Sequence, residues 1–379
     1  MLPLKPFDEP IYVTRPLLPP LERFNVRLQE IWESQWLTNM GDQHEQLGRA
    51  IRQYLDVPEV SLFNNGTIAL LVALRALDLD GEVITTPFTF PATPHAISWS
   101  GAVPVFCDID AATLTLDPAR VEQAITPRTS GILAVHAYGM PCDVEALQEI
   151  ADNHGLKLVY DAAHAFGVKI DGVSIGNFGD ISMFSFHATK LFHSAEGGAL
   201  ACQNSTTRQL VDQLKNFGIL NQESVGPVGI NGKMTEIQAA LGLTVLDCIP
   251  EELQRRRAVI ARYREGLDGI TGLKLMQEPT GVESSCQYFV VRIDPGRFGC
   301  SRDVVFDHLK QYNVFARKYF YPLCSEYDCY SDLPSSAPGL LPVAKEAAAQ
   351  VLCLPLYGSL PLDVCDAICD IIRGIHEQA

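Results

Sequence analysis

Lys190 closes the run Ser185-Phe186-His187-Ala188-Thr189-Lys190 and is followed by Glu196-Gly197-Gly198, while Asp161 lies 29 positions upstream, where the apolar run Leu158-Val159-Tyr160 stops at a carboxylate. A lysine amine forms a Schiff base with an aldehyde cofactor, and an aspartate at a strand end can hold a pyridine nitrogen protonated. Together the two residue types carry the signature of pyridoxal phosphate chemistry. Each also has an ordinary explanation. A lysine after a Ser/Thr-rich turn is commonly solvated, and an aspartate before Ala162-Ala163 is a normal helix cap.

Three further groups bear on the same chemistry. Asn64-Asn65-Gly66-Thr67-Ile68 stands between a strand and a helix that starts at once, so its free N–H groups and the positive helix end suit a phosphate, or serve as a plain cap. Pro87-Phe88-Thr89-Phe90 places two aromatics just past a strand end, where one could lie flat on a heteroaromatic ring or join the core. His164, three residues after Asp161, could donate to a ring oxygen or be a satisfied core histidine.

The elements that must position these groups alternate. Strands are expected at Val60–Phe63, Glu82–Thr85, Val103–Phe106, Gly131–Val135, Leu156–Tyr160, Ile181–Phe186 and Ala199–Cys202, with helices such as Thr67–Leu77 and Asp143–His154 between them. Such alternation implies an α/β domain with a mostly parallel sheet covered on both faces, whose ligands gather at strand C-terminal ends. Residues 1–44, punctuated by proline and carrying one helix near Leu21–Trp36, are expected to be an arm, 45–249 the large cofactor-binding domain and 250–379 a smaller α+β domain. The latter begins with a charged helix, Pro250–Leu267, whose Arg255-Arg256-Arg257 triplet is expected to face solvent, and continues through a strand-like Val314–Phe320.

Composition narrows the classes. In 379 residues, 47% apolar and 20% charged side chains describe a well-buried globular chain, and a formal charge of -16 argues against a nucleic-acid or anionic-membrane surface. Eleven cysteines without CxxC pairs or neighbouring histidines signal neither a disulfide framework nor a metal site. Without an apolar leader or a membrane-length apolar stretch, a cytoplasmic location is the expectation.

Across nearly the whole chain the motifs resemble those of the DegT/DnrJ/EryC1/StrS sugar aminotransferases. The matching segments are Asn65-Gly66-Thr67, Pro87-Phe88-Thr89-Phe90, Pro104-Val105-Phe106-Cys107-Asp108-Ile109-Asp110, His136-Ala137-Tyr138-Gly139, Asp161-Ala162-Ala163-His164-Ala165, Ser185 to Lys190, Glu196-Gly197-Gly198, and Gly229 to Met234 before Glu236. The resemblance implies an aspartate-aminotransferase type fold (PLP fold type I) and a homodimer with shared active sites. It also implies Lys190 as the Schiff-base lysine, Asp161 against the pyridine nitrogen, Phe90 stacked on the ring, and Ser185 with the Gly66, Thr67 and Ile68 backbone on the phosphate. Asn231 is implied to reach that phosphate from the neighbouring subunit.

Two departures stand out: Lys233 replaces a common Arg, so any anion contact there loses its bidentate fork, and Tyr321-Pro322-Leu323-Cys324-Ser325 lacks a histidine that many members carry. Both variants resemble the subgroup that aminates C4 of dTDP-4-keto-6-deoxyglucose, usually with glutamate as donor. The implied reaction is a ping-pong transamination in which Lys190 is both covalent anchor and general acid/base. Its product would serve a decorated surface polysaccharide or a glycosylated metabolite. Arg317, Lys318 and Tyr319 are candidates for gripping nucleotide or sugar groups, or are surface residues. The rival readings are C3 amination, a pyridoxamine phosphate dependent sugar dehydratase, in whose relatives the lysine is typically a histidine, and a cofactor-bound regulatory protein without turnover.

Overall fold

The computed structural model describes residues 5–379. The apolar runs form a seven-stranded sheet of β1 (Glu59–Phe63), β2 (Glu82–Thr85), β3 (Val103–Phe106), β4 (Thr129–Val135), β5 (Lys157–Asp161), β6 (Ile181–Ser185) and β7 (Gly198–Cys202), in the order β1-β7-β6-β5-β4-β2-β3. All neighbours are parallel except those of β7, which runs antiparallel to both β1 and β6. The strands lack clean polar alternation because both faces are covered. On one face Leu62, Ile132, Leu158 and Phe184 meet Leu47, Leu147 and Leu243 from the helices Asp42–Leu55, Val144–His154 and Glu236–Leu246. On the other, Phe63, Val83, Leu133, Val159 and Met183 meet Leu70, Ile97 and Val211 from the helices Gly66–Ala76, Ala92–Trp99 and Ser205–Leu214.

Helix Ile249–Leu267 leads to the α+β part, an antiparallel sheet of β8 (Leu273–Leu275), β9 (Phe289–Ile293) and β10 (Val351–Leu354) in the order β8-β9-β10. Val259, Tyr263, Val291, Ile293, Val305, Leu309, Leu352 and Ile368 form its separate core. The helix Pro342–Gln350 ends at Gln350, and the four apolar residues Val351–Leu354 that follow pair with β9 as a strand. Two local expectations need correction. The strand-like run from Val314 is a strand only over Val314–Phe315; beyond a single bridge from Arg317 to Cys353 it leads to Tyr319 and Phe320 at the cavity. Arg256 of the basic triplet is buried: its Nε lies 2.6 Å from Glu252 Oε1 and its guanidinium donates to the Cys286 carbonyl at 3.2 Å, whereas Arg255 and Arg257 are exposed.

The N-terminal segment is pinned at two places. Ile11–Tyr12 pairs in parallel with Val314–Phe315, and the helix Leu21–Ser34 packs on the helix Glu236–Leu246. At the start of the latter, Thr235 and Gln238 form a capping box, and the buried Glu236 carboxylate accepts the N–H groups of Gly41, Gln43 and His44 at 3.0, 2.8 and 3.3 Å. A carboxylate from a distant helix thus caps Asp42–Leu55, where the macrodipole favours negative charge.

Candidate active site

The C-terminal ends of β1, β5 and β6 open onto one cavity of about 700 Å³. Its wall includes Asn65, Gly66, Thr67, Phe90, Asp161, His164, Ser185, Lys190, Tyr288 and Tyr319. Strand register brings the parts together: Asp161 sits opposite Met183, and Gly198, the first residue of antiparallel β7, lies between Phe63 and Ser185. A Cβ on Gly198 would stand 2.9 Å from the Gly66 nitrogen, so only glycine lets β7 pass this close to the helix start.

At that start, Asn65 is the cap, its Oδ1 accepting from the Ile68 N–H at 2.8 Å. The N–H groups of Gly66 and Thr67 have no partner among the described residues. Ile68 therefore departs from the expectation: its N–H is already engaged, and it is absent from the cavity wall. Ser185 Oγ faces the same end of the cavity.

Asp161 is 5% exposed. Thr93 Oγ1 donates to its Oδ2 at 2.7 Å, the Ala163 N–H donates to its Oδ1 at 3.1 Å, and Thr89 supports Thr93 at 2.9 Å. Burial nevertheless pushes the carboxyl above its ordinary value, more than these donors and the Lys190 charge pull it down. Lys190 is affected in the opposite sense. Desolvation lowers its amine from 10.5 to about 8, with Asp161 partly restoring the cation. His164 is buried and held well below the usual imidazole range by burial and then by Lys190. Its Nδ1 accepts from the Tyr138 N–H at 3.2 Å, which places the proton of the neutral ring on Nε2. Phe320 lies parallel to its ring at 6.0 Å.

The two aromatics of Pro87-Phe88-Thr89-Phe90 part ways. Phe88 is fully buried edge-on to Tyr138 and Phe320, whereas Phe90 is 57% exposed with its ring at the cavity. Of the small-domain candidates, Tyr319 lines the cavity beside Tyr288, with ring centroids 5.6 Å apart. Lys318 does not: its amine pairs with Asp303 and lies over Phe306. Arg317 is exposed and outside the cavity wall, its backbone bridged to Cys353. Asn231 is also exposed and outside the wall of its own chain's cavity, with Oδ1 accepting from Lys233 Nζ at 2.9 Å. Lys233 itself is buried over Phe217, so it orients Asn231. Cys324 is buried and donates to the Thr89 carbonyl at 3.3 Å, behind the carboxylate-supporting threonines.

Sequence reasoning missed three supporting residues. Gln238 Nε2 donates to the carbonyls of Asn64 at 3.1 Å and Glu196 at 2.7 Å, tying the helix Glu236–Leu246 to the Asn65 turn. The Thr235-x-x-Gln238 capping-box spacing signalled that helix start. Ser285 and Gln287 reach the segments of His164 and Lys190 from the small domain, and no local pattern marks them.

Lys190 and the buried Asp161 thus line one cavity at the strand ends of an α/β sheet. The chain matches the DegT/DnrJ/EryC1/StrS aminotransferase family over residues 21–373 and belongs to it; it is an aminotransferase. It is 44% identical over 369 residues, 97% of this chain and 100% of the relative, to the dTDP-4-amino-4,6-dideoxy-D-glucose transaminase of Shigella dysenteriae. The solved structure of DesI with its TDP-sugar product superposes with a TM-score of 0.94 at 39% identity, covering 98% of this chain and 94% of that one. The PLP form of the protein Spr1654 from Streptococcus pneumoniae superposes with a TM-score of 0.86 at 27% identity, covering 96% and 99%. Among the described residues no helix is long and apolar enough to cross a membrane.

Proposed function

We propose that this enzyme transfers the amino group of L-glutamate to C4 of dTDP-4-keto-6-deoxy-D-glucose, giving dTDP-4-amino-4,6-dideoxy-D-glucose, with pyridoxal 5'-phosphate held in the cavity described above. The observation that carries the chemistry is the pairing of Lys190, its amine lowered to about 8, with buried Asp161 on one cavity wall. The substrate choice rests on the full-length likeness to the Shigella transaminase and to DesI.

The donor set fits the cofactor group by group. The open N–H groups of Gly66 and Thr67 and the Ser185 hydroxyl suit its phosphate. Phe90 offers a free aromatic face, and His164 Nε2–H is a donor for the ring oxygen. Bound there, the cofactor supplies an electron sink that makes a C–H bond beside the transferred nitrogen labile. Asp161 would keep the ring nitrogen protonated; a cation beside its carboxyl would offset the cost that burial imposes on the ionised form. Lys190 would hold the cofactor covalently, and its free Nζ would take the proton from the α-carbon of the amino donor and deliver it where the amine group is exchanged. With its amine lowered from 10.5 to about 8, a far larger fraction of Lys190 is neutral near pH 7 than of an ordinary lysine, as that task requires.

The active unit of this reading is a homodimer, with Asn231 of the partner subunit completing the phosphate site. Two observations support it: Asn231 lies outside its own cavity wall, and the adjoining hairpin leaves Phe217, Leu220, Val225 and Val228, the last 83% exposed, uncovered by the rest of the described residues. Borohydride reduction and peptide mapping should place the pyridoxyl group on Lys190, and product NMR with dTDP-4-keto-6-deoxy-D-glucose and glutamate should show the amine at C4. Label on another residue rules out the site, and amine at C3 rules out the regiochemistry.

A further inference from the structure

Between the strand pair that joins Val282–Glu283 to Lys169–Ile170 and the start of β9 at Phe289, the chain crosses from the large domain into the small one. Four consecutive residues of this crossing brace or line the site. Ser285 Oγ donates to the His164 carbonyl at 2.7 Å. The Cys286 carbonyl accepts from buried Arg256 at 3.2 Å, which ties the crossing to the helix Ile249–Leu267. Gln287, 2% exposed, accepts the Leu191 N–H on Oε1 at 2.7 Å and donates from Nε2 to the Thr189 carbonyl at 3.0 Å. Tyr288 then lines the cavity.

The Gln287 amide thus engages the peptide groups on both sides of Lys190. A primary amide side chain presents an acceptor and a donor side by side at any pH, which is what a strand edge would offer here. Two bonds at adjacent peptide groups restrain both the position and the rotation of the Lys190 backbone, where one would leave a pivot. The neighbouring contact is equally tight: a Cβ on Gly139, whose φ is +91°, would stand 2.5 Å from Ser285 Oγ and 2.7 Å from the His164 carbonyl, so glycine there admits the Ser285 bond.

We propose that Gln287 is a positioning residue for Lys190, and that the crossing 285–288 makes the reactivity of that amine depend on how the small domain is seated. The proposal rests on the reading of Lys190 as the covalent anchor. Misplacing a catalytic group by about 1 Å costs on the order of 10²-fold in rate, and loss of the clamp allows displacement of that kind without removing any group that touches substrate.

The test uses the holoenzyme with Gln287→Met, which keeps the volume and removes both bonds, and Gln287→Glu, which keeps the acceptor for Leu191. In Gln287→Met, kcat should fall about tenfold or more with KM within about threefold, as expected when a step is misaligned and binding is not. The midpoint of the pH titration of the visible cofactor absorbance should move, and the Leu191 amide should exchange faster with deuterium. Gln287→Glu regains the Thr189 bond only when its carboxyl is protonated, so its kcat relative to the parent enzyme should rise as pH falls. A purely structural amide would lower the melting temperature and leave the titration midpoint and kcat in place; that result overturns the proposal. Peptide mapping of the borohydride-reduced parent separates the two failures: label away from Lys190 sinks the underlying reading, and label on Lys190 with unperturbed variants sinks the positioning role alone.

Discussion

Replacing Lys190 by methionine should make the cofactor-free protein more stable at neutral pH, although it removes the central reactive group. Burial among the walls of the cavity lowers the amine from 10.5 to about 8. At about 1.4 kcal/mol per pH unit, carrying the cation into the folded state costs up to ~3 kcal/mol. The side chain keeps part of its surface in the open cavity, so we take roughly 1–2 kcal/mol after screening. The sign with pH follows from proton counting. Between about 8 and 10.5 the unfolded chain holds a proton that the folded chain has released, so the stability of the parent protein gains from this group as pH rises. Below about 8 both states are protonated and the full cost stands. Methionine keeps the apolar stem and carries no charge. Urea unfolding of the cofactor-stripped pair should therefore show the variant ahead near pH 7 and the gap closing toward pH 10. A gap that is constant over that interval, or a variant that is less stable throughout, would refute a desolvated lysine.

Three other outcomes follow from the same contacts. Asp161→Asn should retain the fold, since the amide oxygen can still accept from the Ala163 N–H while its NH2 donates to Thr93 Oγ1, and kcat should drop by about 10²-fold or more, measured by steady-state transamination. Glu236→Ala leaves the N–H groups of Gly41, Gln43 and His44 without their buried acceptor and should destabilise the protein by about 2–4 kcal/mol in denaturant titrations, with Glu236→Gln milder. Gly198→Ala drives a methyl against the backbone of Asn65 and Gly66 and should weaken cofactor retention on dialysis, with a stability loss of about 1–3 kcal/mol.

Much of the site is legible in the sequence because the chemistry belongs to residue types. A Schiff base needs an amine and a ring proton needs a carboxylate, so Lys190 and Asp161 stand out even with 29 positions between them. The central strands are legible for a related reason: each is a short apolar run bounded by turn residues, and observed bounds such as Glu82–Thr85 and Val103–Phe106 coincide with those the pattern implies. Periodicity reports how a segment meets its immediate surroundings, and it goes no further. Ile68 has the motif position of a phosphate donor, yet its N–H is engaged by Asn65, a choice made by one side-chain rotamer. Lys318 has the charge of a substrate grip, yet Asp303 and Phe306 claim its amine within the small domain.

What the sequence alone determined about this protein is the inventory: which groups can react, the alternation that builds a parallel sheet, and the acidic, well-buried character of the chain. What only the tertiary structure decided is adjacency. The insertion of antiparallel β7 between β1 and β6 puts Gly198 against the Asn65 turn, and the crossing into β9 lays Gln287 along the peptide groups beside Lys190. Contacts between residues almost a hundred positions apart leave no local trace, since their strength lies in distance and angle, which the chain acquires only when its layers have packed.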